Sequence, residues 1–160
     1  MTAAGLLVLR AALAFVLVSH GGHVLFGIGA GGGLGAGGLQ QTADHYTKAG
    51  LQPGMLVAVI VGVVQFVSGI LIAFGLLARW AAVSTIALLS ILIWKEQAQW
   101  GMYLNWIQDP TRGHGMEFSI VIIAALVCLF LTGPGAWSFD GKRAGRAAAQ
   151  AAGRARLRRT

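Results

Sequence analysis

Charge is scarce in this chain, and acid scarcest: 11% of its 160 residues are Asp, Glu, Lys or Arg, and only five are acidic. So little charge excludes an ordinary soluble domain. Cysteine is represented by Cys128 alone, which rules out an intrachain disulfide and any cysteine-cluster metal site. Because Cys128 sits inside an apolar run, it reads as a buried, inert thiol rather than a redox centre, which needs exposure and a lowered pKa. Also absent are a nucleophile triad, an H-E-x-x-H helix and a P-loop.

What fills the chain is apolar: 56% of residues are hydrophobic and the mean hydropathy is +0.72. The bilayer class follows from these values. The net charge of +7 is concentrated at one end, where Lys142, Arg143, Arg146, Arg154, Arg156, Arg158 and Arg159 supply seven of the twelve basic residues. A basic tail on an apolar body points to anionic lipid headgroups, and no nucleic-acid partner is expected.

Four apolar runs, at about residues 5–26, 54–77, 80–96 and 116–132, have lengths near what ~30 Å of hydrocarbon requires. For the first run a cleaved signal peptide is the alternative, since Arg10 precedes a short apolar stretch and Gly27-Ile28-Gly29 is a small-x-small site, but the run continues to Phe26. The expected fold is therefore all-α. Residues 1–140 are read as an integral membrane four-helix bundle, and 141–160 as a basic cytoplasmic tail, largely disordered by default or, as the alternative, a helix with Arg143, Arg146, Gln150, Arg154 and Arg158 along one stripe. An even number of spans puts both termini on one side, and the tail together with Arg79 assigns that side to the cytoplasm of a plasma (inner) membrane. The long connections 1–2 and 3–4 then face outward.

One motif invites a different reading. "FGIGAGGGLGAGG" holds a literal G-x-G-x-x-G at Gly27, Gly29 and Gly32, but it follows a membrane span rather than a strand. It reads as a glycine-rich outer hinge leading to a short surface helix that ends near Lys48, before Gly50 and Pro53.

Polar residues within the spans are the candidate site. Arg10, about 9 Å inside span one at ~1.5 Å per residue, either snorkels to the cytoplasmic interface or finds a partner in the bundle. His20 and His23, three apart, share one face at the outer end, where two ring nitrogens could relay protons, bind a metal or hold a quinone carbonyl; ordinary interfacial histidines are the alternative. Gln65 needs an amide partner, as helix-to-helix glue or from a ligand, with Gly62 and Gly69 allowing close approach. Glu117 opens span four, where the helix dipole favours a carboxylate, and His114 precedes it by three residues. Lys95 and Glu96 end span three at the same level. The candidates are thus His20, His23 and Glu117 for proton transfer or catalysis, and Arg10, Gln65, Glu96 and His114 for substrate binding, with no metal site expected.

Three stretches carry a resemblance: "LRAALAFVLVSHGGHVLFG", "GVVQFVSGILIAFGLLARWAA" and "GMEFSIVIIAALVCLFLTGPGAWSFD". Over about residues 5–140 the chain resembles the DoxX family of small four-helix membrane proteins, with Arg10, His20, Glu117 and Asp140 at family positions. It departs from many relatives by Val24 in place of a lysine and Gln65 in place of a glutamate, with His23 a possible substitute one position away. The family takes its name from a subunit type associated with an archaeal thiosulfate:quinone oxidoreductase, and its bacterial members are linked to redox and oxidative-stress assemblies. The resemblance implies a membrane subunit that anchors a partner redox protein, with quinone as the candidate cofactor at an outer-face site. A small transporter or lipid-binding bundle, or a purely structural membrane protein, are the competing readings.

Overall fold

Each apolar run is bounded by residues that stop or start a helix, and the chain folds accordingly. The computed structural model describes residues 2–28, 38–107 and 111–157, the side chains of 155 and 156 excepted. Among these residues the structure is all-helical. Helix α1 spans Ala3–Phe26, opened by the Thr2 side chain accepting from the Gly5 amide and closed by Gly27 in the left-handed region. Helix α2 spans Leu39–Lys48, α3 Gly54–Phe74, α4 Ala78–Leu92, α5 Glu117–Thr132 and α6 Phe139–Leu157. A π-helical turn, Ile93–Gln97, and a 3-10 turn, Ala98–Trp100, prolong α4.

Three helical stretches, Ala3–Phe26, Gly54–Phe74 and Ala78–Trp100, are long and apolar enough to cross a membrane. The third run thus begins before residue 80 and ends beyond 96, because the π and 3-10 turns carry the helix onward. The fourth run is shorter: α5 has 16 residues, about 24 Å of helix. Surface helix α2 ends at Lys48 as its sequence suggests. Gly29 and Gly32 of the glycine motif lie outside the described residues, while Gly27 serves as the αL cap of α1, not as the turn of a nucleotide fold.

Small residues set the closest packing. A β-carbon at Gly21 would lie 2.4 Å from the Phe66 amide nitrogen, and one at Gly69 would lie 2.9 Å from the Val18 nitrogen, so α1 and α3 approach backbone to backbone. Helix α4 packs on α3 and α5, and α5 also touches α1. Between them lies a core of Leu13, Leu17, Val61, Ile72, Leu89, Leu126 and Leu129.

The tail corrects the expectation of disorder. Residues 139–157 are helical because alanine, the strongest helix former, recurs through them and Ser138 caps the start, its Oγ accepting from the Gly141 amide at 2.9 Å. Its Lys142, Arg143, Arg146 and Arg154 are all exposed.

Arg10 does not snorkel. It is 2% exposed and spends its guanidinium on four carbonyls: Nε donates to Ile72 (3.1 Å), Nη2 to Ala73 (2.8 Å), and Nη1 to Pro134 (2.8 Å) and Trp137 (3.1 Å). Ile72 and Ala73 belong to the last turn of α3, whose carbonyls have no partner within the helix. Pro134 and Trp137 lie in the α5–α6 turn. Gly75 makes the approach possible: it has φ 63°, and a β-carbon there would stand 3.2 Å from Arg10 Cζ. The Asp140 carboxylate completes the junction by accepting from the Ala78 amide at 3.1 Å, while its own amide donates to Gly75. The G-P-G-x-x-S-x-D stretch is therefore a structural lock joining the α3–α4 and α5–α6 turns.

Replacing Arg10 by Ala is expected to lower stability by roughly 3 kcal/mol or more, since buried carbonyls lose charge-assisted hydrogen bonds. Arg10→Lys should restore little of it, because an ammonium cannot span four acceptors in a planar fork. Thermal unfolding in mild detergent measures both; a wild-type midpoint for Arg10→Lys would refute this role.

Candidate functional site

At the opposite end of α1 the polar groups are not spent. A cavity of about 210 Å³ opens between α1, α2, α3, the end of α4 and α5, and His20, Tyr46, Gln65, Glu96, Gln97 and Ser119 contribute its polar lining. Apolar walls come from Val16, Leu17, Val61, Leu89, Leu92 and Ile122. Gln65, 8% exposed, makes no hydrogen bond to a neighbouring helix among the described residues, so it does not act as interhelical glue. Gln97 Oε1 is buried without a hydrogen-bond partner among the described residues. Such an orphan is costly, about 1–3 kcal/mol.

The π turn is what supplies this lining. An inserted residue rotates the end of α4, and Glu96 and Gln97 both reach the cavity. From α2, Tyr46 closes the cavity and His45 bonds Glu96, Nε2 to Oε1 at 2.6 Å. His45 is 60% exposed at its side chain and Glu96 20%. The hydrogen bond to Glu96 raises His45 above the ordinary imidazole range, against burial and the Lys48 charge, which lower it. Burial, reinforced by Glu96, pushes the Tyr46 phenol up, so its hydroxyl stays protonated and able to donate.

A second cavity, of about 500 Å³, lies on the far side of this pair, lined by His45, Glu96, Gln97, Trp100, Thr111, Arg112, Gly113 and His114. Glu96 and Gln97 therefore face both spaces.

The residues singled out in sequence divide between these places. His20 stands at the cavity rim, its ring 5.8 Å from that of Phe118, with Gln65 and Glu96 inside. His23 turns away, its Nδ1 3.3 Å from the Ile28 carbonyl. Glu117 braces the connection before α5: its Oε2 accepts from the Leu104 amide at 3.3 Å. His114 Nδ1 accepts from the Asn105 amide in that same connection and borders only the outer of the two cavities. Lys95 lies 4.1 Å over its neighbour Trp94. Arg10 is committed at the other end. Among the described residues no three His, Cys, Asp or Glu side chains converge as a metal would need.

His45, Tyr46, Gln97 and Ser119 were not singled out from sequence. Only Tyr46 left a trace, as an aromatic on a short amphipathic helix; the register of Gln97 depends on the π turn, which has no signature in composition.

A family model described as DoxX matches residues 5–96, a stretch that holds Arg10, His20, Gln65 and Glu96 and ends before Glu117 and Asp140. No curated protein and no solved structure matches the chain.

The His45–Glu96 pair gives a pH dependence with a definite sign. Because His45 is raised in the folded state, its stabilisation is complete below the ordinary imidazole value of ~6.5 and fades as pH climbs through the raised value. Hydrogen exchange in α2, corrected for intrinsic rates, should show less protection on the alkaline side, and Glu96→Gln should abolish the difference. Equal pH dependence in the variant would refute the pairing.

Proposed function

The chain belongs to the DoxX family, and from that premise we propose that it is a four-span membrane subunit of a redox assembly whose outer-facing cavity receives a quinone-type headgroup. The observation that carries this reading is a cavity with mixed walls, where the Tyr46, Gln65 and Ser119 side chains make no hydrogen bond among the described residues and stand beside apolar side chains. Hydrogen-bonding side chains at membrane depth are expensive unless something answers them. The Tyr46 hydroxyl and the Gln65 amide can donate to ring carbonyls, while Glu96 can accept from a ring hydroxyl, so both oxidation states of a quinone find partners.

Size agrees with this class. The cavity, at about 210 Å³, is smaller than the ~300–1,000 Å³ typical of pockets that enclose drug-sized ligands. A single ring fits, with any isoprenoid tail left in the lipid beside His20 and Phe118, both exposed at the rim. Transport finds less support. Between Arg10 and the cavity the interior is closed by Leu13 and Leu17, each 2% exposed, with Ile72, Leu126 and Leu129 fully buried, so the two polar regions form no path.

The α4–α5 connection presents Tyr103, Trp106 and Ile107, exposed at 71%, 77% and 84%. On the outer side these suit an apolar patch of a partner redox protein. On the cytoplasmic side, the basic face of α6 suits anionic headgroups.

Two measurements test the proposal. A cysteine at Asp44 should react with an impermeant thiol reagent from outside intact cells, and one at Arg146 should not; the reverse labelling would overturn the orientation. Purified protein should bind menadione, and Gln65→Leu should weaken binding about tenfold, the loss of one hydrogen bond to a buried group, without lowering thermal stability. Absence of bound or bindable quinone would remove the ligand from the proposal and leave an anchor.

A further inference from the structure

On the flank of the Arg10 lock lies a cavity of about 490 Å³, formed where the α3–α4 turn meets the α5–α6 turn and the start of α6. Among the described residues that line it, Arg79 is the one cation and Asp140 the one anion. The Arg79 guanidinium is held over the α5–α6 turn: a β-carbon at Gly133 would stand 3.5 Å from its Nη2. It makes no hydrogen bond or ion pair among the described residues, with Asp140 or with any other group. Asp140 commits one carboxylate oxygen, Oδ2, to the Ala78 amide at 3.1 Å, and its Oδ1 accepts nothing among the described residues. Two opposite charges thus line one space without neutralising each other.

A second space continues from the first. Leu77 and Trp80 belong to both linings, and beyond them a groove of about 380 Å³ runs between α3 and α4 past Val63, Val67, Leu71 and Ala81. Its two hydroxyls are bonded within the chain: Ser68 Oγ lies 3.3 Å from Ser84 Oγ, which donates to the Ala81 carbonyl at 3.0 Å. The groove therefore asks for no polar partner. From Phe74, the last residue of α3, back to Val63 is about 16 Å at ~1.5 Å per residue, close to half of the ~30 Å of hydrocarbon in a bilayer. Trp80, 74% exposed, stands between the two spaces, and an indole there marks the boundary between hydrocarbon and headgroups.

We propose that the two spaces form one binding site for phosphatidylethanolamine, with its headgroup between Arg79 and Asp140 and an acyl chain in the α3–α4 groove. The charges select the headgroup. A guanidinium pairs with phosphate through parallel N–H donors, and the amides of Arg79 and Trp80, in the first turn of α4, have no carbonyl of their own helix to meet. The ammonium group, with three N–H donors, answers Asp140 Oδ1. Phosphatidylglycerol offers that carboxylate hydroxyls but no positive charge. The trimethylammonium of phosphatidylcholine has no N–H to donate and is recognised by aromatic cages, whereas Trp80 is the only aromatic ring among the described residues of this lining. Lys142, Arg143 and Arg146 of α6 lie outside the lining, so they do not shift its balance toward an anion. Pro134, whose carbonyl accepts from Arg10, also borders the cavity, and a bound lipid braces the lock from outside. The site lies at the opposite end of the bundle from the quinone-type cavity and does not depend on it.

The test places the full chain in nanodiscs of equal parts dioleoyl phosphatidylethanolamine, phosphatidylcholine and phosphatidylglycerol, and native mass spectrometry counts the lipids that stay bound on release. Phosphatidylethanolamine should be retained about tenfold over either competitor, the effect of one charge-assisted hydrogen bond. Arg79 is exposed, so Arg79→Gln retains the fold, and it should lower that retention about tenfold. Asp140→Asn, which keeps an acceptor for the Ala78 amide, should erase the preference over phosphatidylcholine; size-exclusion profiles monitor its folding, and Arg79→Gln decides alone if it does not fold. Soluble O-phosphoethanolamine at the lipid's own concentration should displace nothing, because it leaves the groove empty. Equal retention of the three lipids would overturn the proposal in favour of an unselective lipid coat, and preference for phosphatidylglycerol would overturn it in favour of the α6 cations. Unchanged retention in Arg79→Gln, or displacement by O-phosphoethanolamine, would overturn it as well.

Discussion

Everything at one end of this molecule follows from the burial of Arg10. A guanidinium in an apolar interior costs at least several kcal/mol unless its N–H groups are met, and in a helical membrane protein the available acceptors are few. Carbonyls within a helix are already bonded; free ones occur in the last turn and in irregular segments. Arg10 finds both kinds, Ile72 and Ala73 at the end of α3 and Pro134 and Trp137 in the α5–α6 turn. That geometry requires α3 to stop where it does, which Gly75 achieves by turning left-handed, and requires the segment after α5 to leave helical geometry, which Gly133 and Pro134 achieve. Ser138 and Asp140 then restart helices α6 and α4 beside the same point. A residue that reads as a candidate for substrate binding is in structural terms the pin that joins α1 to the end of α3 and to the α5–α6 turn.

Sequence patterning revealed the helices because hydrocarbon imposes a length and a composition that few other environments do. The apolar runs and the surface helix ending at Lys48 were legible from hydropathy and punctuation. Boundaries were legible only where glycine or proline marked them; the third run extended because a π turn keeps hydrogen bonding alive past Leu92, and nothing in "ILIWKEQ" announces one. Tail order is ambiguous in sequence for a related reason: charge argues for a solvated tail, while the alanine content suffices for a helix once Ser138 supplies a cap. At the site, depth was legible and direction was not. His20, His23, Glu96, His114 and Glu117 do gather toward one end, but spacing along a helix cannot say that Glu117 is drawn off to the Leu104 amide or that His23 faces Ile28.

The contrast between the two ends is itself informative. Both bring polar groups into contact with an apolar core, so both bear a desolvation cost, yet at the Arg10 end that cost is met almost wholly within the chain. At the other end His20, Tyr46, Gln65, Gln97 and Ser119 line a space large enough for a ring and find no hydrogen-bond partners among the described residues. Packing would remove such a space cheaply: Gln65→Leu or Ser119→Ala would each replace a desolvated polar group by a fitting apolar one. Stability therefore does not explain these residues. The π turn points the same way, since it forgoes regular α-helical bonding at Ile93–Gln97 and in return turns Glu96 and Gln97 inward. A chain that meets one buried cation with four carbonyls, and leaves side chains around the opposite cavity without partners among the described residues, is satisfied at one end and open to a ligand at the other.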